Sequence, residues 1–142
     1  MGTLADVLGG KRWIAAEPAT PYEWAGRVES GLPAASALAF KEALALTNDE
    51  LATLLGVSTR TLARWNPGKS RLDLVSGDRL LRSARLFAIA SEVLEDARAA
   101  AQWLKAPQRG FGGAIPLALA RTDVGARVVE ELLGRMEHGV YT

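Results

Sequence analysis

The residues best equipped for chemistry lie close together. From Val57 to Arg71 the chain reads VSTRTLARWNPGKSR, with Arg60, Arg64, Lys69 and Arg71 and no acidic residue. A guanidinium is a planar fork of donors that matches the paired acceptors of guanine in the major groove, and one such pair discriminates between bases by about 1–3 kcal/mol. Ser58, Thr59, Arg60 and Arg64 fall on the side left free by the apolar residues of this segment, so they are the candidates for reading base edges. Thr61 is a lesser candidate, because its position allows partial burial. Lys69 and Arg71 flank the loop NPGKSR and suit phosphate oxygens instead. Formal net charge over the 142 residues is +1. Affinity for nucleic acid must therefore come from this local cluster, not from the chain as a whole.

Other chemistries find little to work with. The one histidine is His138, and no nucleophile–base pair assembles around it. There is no cysteine, which excludes disulfides and thiolate metal sites and fits a reducing cytoplasm. Carboxylates are scattered over helix surfaces without a ligand spacing, so neither metal nor cofactor is expected. The stretch APQRGFGGAIP is glycine-rich, but its spacing matches neither a P-loop nor a dinucleotide fingerprint and no strand precedes it. A shaped turn carrying Phe111 into the core is the expectation there, and an enzyme is not. Arg79, Arg82 and Arg85 recur every three residues, which suits a solvated or salt-bridged face as well as an interface.

The elements that must position the basic cluster can be read next to it. Thr47-Asn48-Asp49-Glu50 is a capping box, in which the Thr47 hydroxyl and the Glu50 carboxylate exchange hydrogen bonds with each other's amides. The helix it opens carries Leu51, Leu54 and Leu55 on one face and is expected to end near Leu55. Gly56 can take the left-handed conformation that stops a helix, and Ser58 is a good N-cap for the next. Leu62 and Trp65 are three apart and point back at the preceding helix, with Val57 in the corner and the small Ala52 where two crossing helices approach. Supporting helix, glycine turn and second helix are the order of a helix-turn-helix, whose second helix enters the major groove.

Alanine and leucine dominate the remainder and strand-like runs are missing, so the chain reads as all-α. Residues 1–20 read as a loose N-terminal arm, residues 21–72 as the helix-turn-helix domain, and residues 73–142 as a second helical domain. Helices are expected over Tyr22–Ser30 and Ala34–Leu46. A long one follows, capped by Asp73 or Ser76, with Leu80, Leu81, Ala84, Phe87, Ala88 and Leu94 inward. A shorter helix over Ala97–Lys105 turns Trp103 and Leu104 inward. Pro116 opens a short helix. Thr122 and Asp123 start the last, where Val124, Val128, Val129, Leu132, Leu133 and Met136 make one stripe and Gly139 is the stop. MGTLADVLGGKRW lacks the charged-then-apolar order of a secretory leader, and no apolar run approaches the ~20 residues that span a bilayer. A cytoplasmic protein without membrane contact is the expectation.

Taken together, GVSTRTLARW, SGDRLLRSARLFAIASEVLED and the segment from Ala100 to Thr142 resemble the Xre/MbcA/ParS-type antitoxins of bacteria. The resemblance covers about Tyr22 to Thr142. Its most specific residues are Trp103-Leu104, Pro107, Gly112-Gly113, Pro116, Thr122, Gly125 and Gly139-Val140-Tyr141. Two departures fall in and just after the long helix: no acidic residue precedes the Ser-Gly-Asp-Arg-Leu step, and Glu95-Asp96 stands where Gly-Asp is common. The resemblance implies a homodimer that binds operator DNA of its own promoter and neutralises a RES-domain toxin, a consumer of NAD⁺. It implies that the tail Val140-Tyr141-Thr142 plugs the toxin's active site. Arg135, Glu137 and His138 would then make contacts at the rim. Tyr141 and the carboxylate of Thr142 would mimic part of the substrate. The residues alone also fit a stand-alone helix-turn-helix repressor whose C-terminal domain senses a ligand or partner.

Overall fold

The computed structural model describes residues 4–10 and 20–139. They form helices α1 (Leu4–Val7), α2 (Pro21–Ser30), α3 (Ala34–Leu44), α4 (Asn48–Leu55), α5 (Thr59–Arg64), α6 (Leu74–Leu94), α7 (Ala97–Lys105), α8 (Pro116–Leu119) and α9 (Asp123–Glu137), with a 3₁₀ turn at Arg109–Phe111. No strand occurs among the described residues. Their extended pairing is the single antiparallel bridge between Pro33 and Arg71. Two compact units divide the chain between Leu81 and Arg82, inside α6.

In the first unit local signals set most boundaries. The Thr20 hydroxyl accepts from the Glu23 amide and Pro21 begins α2, where a proline lacks only an amide that would have no helical partner. The capping box at Thr47 is complete: the Glu50 amide donates to Thr47 Oγ1 at 3.0 Å, and the Thr47 amide donates to Glu50 Oε1 at 2.8 Å. Helix α3 stops at Leu44, two residues before the expected end, because Ala45 turns left-handed at φ 53°. Trp24, Val28, Leu32, Phe40, Leu44, Leu51, Leu54, Leu55 and Leu80 are buried. The expectation of a loose arm over residues 1–20 does not hold at Leu4–Gly10. There α1 packs on α3 with Ala5, Val7 and Leu8 buried. Residues 1–3 and 11–19 lie outside the described part.

The second unit holds the rest of α6 and everything after it. Ala84, Leu86, Phe87, Ala90, Leu104, Leu117, Val129 and Leu133 are buried. Phe111 is half-buried, not in the core, and meets Trp103 edge-on with ring centroids 6.2 Å apart. The Gln108 side chain donates to the Trp103 and Ala106 carbonyls, which closes the glycine-rich turn onto the end of α7. The arginine series of α6 is in part answered here. Arg82 Nη1 donates to the Ala120 and Arg121 carbonyls, satisfying acceptors left open where α8 ends. Arg85 pairs with Glu130 at 2.6 Å.

The last helix corrects the sequence reading. Val129, Leu132 and Leu133 are buried as expected, but Val124 is 73% exposed and Val128 42% exposed, with Gly125 and Ala126 facing inward in their place. The reason is distance. A Cβ on Gly125 would overlap the carbonyl oxygen of Leu119, so the first turn of α9 lies directly on the backbone of α8. A valine would not fit that gap, and the larger residues beside it turn outward.

Candidate functional site

The basic cluster sits on a helix-turn-helix whose geometry follows from two local devices. Gly56 ends α4 at φ 75°, ψ 30°, and its amide returns to the Ala52 and Thr53 carbonyls. A side chain at this φ is strained. Two residues later Ser58 starts α5: its hydroxyl accepts from the Thr61 amide at 3.0 Å and exchanges a 3.0 Å hydrogen bond with the Thr61 hydroxyl. The turn is thus held at both ends by backbone amides, and the direction of α5 is fixed before any tertiary contact is counted.

None of the α5 residues is fully buried. Leu62 and Trp65 are half-buried toward the rest of the unit, while Thr59, Arg60, Thr61 and Arg64 are exposed. The partial burial considered for Thr61 is absent, and its hydroxyl is occupied by Ser58. Among the described residues, no hydrogen bond or ion pair engages Arg60 or Arg64. Two guanidinium groups are therefore presented to solvent on one short helix with their donors unused. Lys69 is also exposed, on a loop tightened by Asn66 and Ser70: the Ser70 amide donates to the Asn66 carbonyl at 2.7 Å, and the Asn66 amide to Ser70 Oγ at 2.9 Å. Arg71 differs from the others. Its Nη1 donates to the Gly31 carbonyl at 2.8 Å, so part of its donor capacity already holds the end of α2 to the end of this loop.

A second candidate surface is α9. Its N-cap, Thr122, accepts from the Gly125 amide at 3.0 Å. Along the outer side lie the exposed Val124 and Val128, then Glu131 and the half-buried Arg135. Positions 124, 128, 131 and 135 recur at helical spacing and share one face. Among the described residues, the Nε of Arg135 is sealed from solvent without a hydrogen-bond partner. Glu137 and His138 are exposed where the helix ends. Val140, Tyr141 and Thr142, expected to insert into a partner, lie outside the described residues. The sequence reading missed the outward valines, whose one cue was the pair of small residues, Gly125 and Ala126, beside them. No helix among the described residues is long and apolar enough to cross a membrane.

Comparison with known proteins bears on both surfaces. Residues 23–85 match the family model of the antitoxin Xre-like helix-turn-helix domain, and residues 90–139 match that of the antitoxin Xre/MbcA/ParS C-terminal toxin-binding domain. An Xre antitoxin of Pseudomonas putida is 31% identical over 123 residues, covering 87% of this chain and 76% of that protein. One of Photorhabdus laumondii is 33% identical over 92 residues, 64% of this chain and 62% of the relative. One of Yersinia enterocolitica is 31% identical over 94 residues, 66% of this chain and 64% of the relative. Against the last two, the chain spans just under two thirds of their length.

Proposed function

Because the chain belongs to the Xre-type antitoxin family, we propose that it neutralises a RES-domain, NAD⁺-consuming toxin with its C-terminal region and represses its own operon through α4 and α5. The observation that carries this reading is the separation of two unlike surfaces. α5 offers two guanidinium groups that are unengaged among the described residues, and no carboxylate. α9 offers Val124 and Val128, exposed side by side on its outer face. The first suits a polyanion read at base edges, and the second suits a protein surface. Both are binding surfaces, as expected of a family of binding proteins and not of enzymes.

On the DNA side, Ser58, Thr59, Arg60 and Arg64 face base edges, with Thr61 contributing less. Lys69 contacts backbone phosphate, and Arg71 does so with the donors that Gly31 leaves free. A single module reads only a few base pairs, so a homodimer built by the helices after Asp73 would span two half-sites about one helical turn apart. On the toxin side, Val140-Tyr141-Thr142 would fill the active site, with Arg135, Glu137 and His138 at its rim. A buried aromatic anchor of this kind tends to dominate interface energy.

The test is co-expression with the product of the adjacent gene, which this reading expects to be a RES-domain protein. Co-purification of the two, and growth of cells that the RES-domain protein alone would arrest, are the expected results. A RES-domain neighbour that neither co-purifies nor is neutralised would leave the stand-alone repressor as the better account.

A further inference from the structure

The arginines of α6 recur three apart, and the structure separates them by what they touch. Arg82 and Arg85 are engaged by the Ala120 and Arg121 carbonyls and by Glu130. Arg79 belongs to the same compact unit as the helix-turn-helix, and its guanidinium rests on the side-chain-free face of Gly56. Nη1 lies 2.5 Å, Cζ 3.2 Å and Nε 3.8 Å from the point where a Cβ would stand. Arg79 is half-buried. Among the described residues, no acceptor or carboxylate engages it. One turn earlier, Ser76 Oγ donates to the Leu55 carbonyl at 3.2 Å, so the start of α6 is tied to the end of α4. The guanidinium is thus held in place by packing, with its donors unspent.

We infer that Arg79 is a further nucleic-acid contact, donating to a backbone phosphate beside the groove that receives α5. The inference rests on the DNA-binding reading of α5. Gly56, Val57 and Ser58 are consecutive, so the guanidinium stands within roughly 7 Å of chain from the N-cap of the recognition helix. The first residues of such a helix approach base edges, and groups beside them meet the sugar–phosphate strand that borders the groove. That groove is only about 12 Å wide, which leaves a cation at the helix start facing the strand. The planar fork of arginine matches the phosphate oxygens bidentately. Gly56 is then required twice: for its left-handed φ, and because any side chain there would displace the guanidinium. A purely structural role is the competitor, since a cation at the C-terminal end of α4 also complements the helix dipole. Both roles allow a loss of stability on substitution. Only the phosphate contact changes how binding depends on salt.

The test uses the full chain, a duplex covering its own promoter region and a scrambled duplex of equal length, titrated across a range of salt concentrations. Arg79→Gln is expected to weaken both duplexes alike, by about tenfold, and to lower the salt slope by about one counterion. Arg79→Lys is expected to keep the slope and recover part of the affinity. Arg82→Gln, whose guanidinium serves backbone carbonyls of the other unit, is expected to leave the slope unchanged. Should Arg79→Gln not fold, Arg79→Met keeps the stem and is read for the same slope. An unchanged slope in the variant lacking the charge overturns the inference and assigns Arg79 to the fold. If Arg60→Ala loses binding while the Arg79 variants do not, only this inference falls. If the parent binds neither duplex, the reading of α5 falls with it.

Discussion

Helices α5 and α9 both begin on a hydroxyl that caps the third amide ahead, Ser58 to Thr61 and Thr122 to Gly125, and there the likeness ends. α5 is six residues long with none fully buried. It is far too short to be stable by itself. Its caps, the half-buried Leu62 and Trp65 and the loop that follows hold it, which frees the remaining side chains to be cations. α9 is fifteen residues long and buries Gly125, Ala126, Val129, Leu132 and Leu133. It is held by its own inner face, and its outer face carries valines that lie outside the buried core. In α5, then, surface and fold are nearly independent. In α9 they share a backbone so tightly packed that one inward methyl group decides between them.

The comparison is broken most completely at the end of α9. Truncation after Gly139 is expected to leave the fold, and the dimerisation and operator binding proposed for it, unchanged, because the buried residues of α9 end at Leu133. It is expected to abolish rescue of cells expressing the toxin. Full rescue by the truncated protein would move neutralisation to the body of the C-terminal unit.

Next in size is Gly125→Ala. In an exposed helix this change stabilises by about 1 kcal/mol. Here the added carbon meets the Leu119 carbonyl, and overpacking of this kind costs about 3 kcal/mol. Gly134→Ala serves as the reference, since nothing stands within 4 Å of its missing Cβ. Urea melts of the two variants should move in opposite directions. A Gly125→Ala protein as stable as the parent would contradict the close approach of α8 and α9.

Arg60→Ala and Arg64→Ala should melt like the parent, since neither side chain is engaged among the described residues. Each is expected to weaken operator binding by about 1–3 kcal/mol, and at least one to relax sequence preference. If both bind the operator as the parent does, α5 is not the recognition helix. The smallest effect is that of Lys69→Ala. It should weaken every duplex alike and reduce the salt slope by about one phosphate, as measured by binding over a range of salt concentrations.

The same contrast explains what could be read from the sequence. The capping box at Thr47, the left-handed Gly56, the Ser58 and Thr122 caps and the proline at the start of α8 are all visible because each is decided within four residues. The all-α class was visible for a similar reason, since helical periodicity repeats along the chain. The exposure of Val124 and Val128 was hidden, because a stripe of apolar residues does not reveal that two small neighbours will take the inner side. The close contact with Leu119 that selects them lies across a turn. Helix α1 was hidden because four residues carry no period. The partners of Arg82 and Arg85 stand 38 to 45 residues away in sequence, and no local pattern encodes them. The outward side of α5, by contrast, was legible because its few apolar residues leave only one direction for the rest.

The bridge between Pro33 and Arg71 has a topological consequence. The Ala34 amide donates to the Ser70 carbonyl at 2.9 Å, and the Leu72 amide to the Leu32 carbonyl at 2.8 Å. The chain therefore enters and leaves the segment from α3 to the end of the basic loop at one point. Whatever happens to the residues inside that closed circuit, their exit remains beside their entrance. A segment with adjoining ends leaves the backbone on either side in place, whatever length of chain lies between. Helices α4 and α5 and the loop that carries Lys69 lie within it. An exchange of this segment for another would keep the two ends together, provided that the newcomer preserves what α6 holds, the Leu55 carbonyl bonded by Ser76 and the bare face of Gly56 under Arg79.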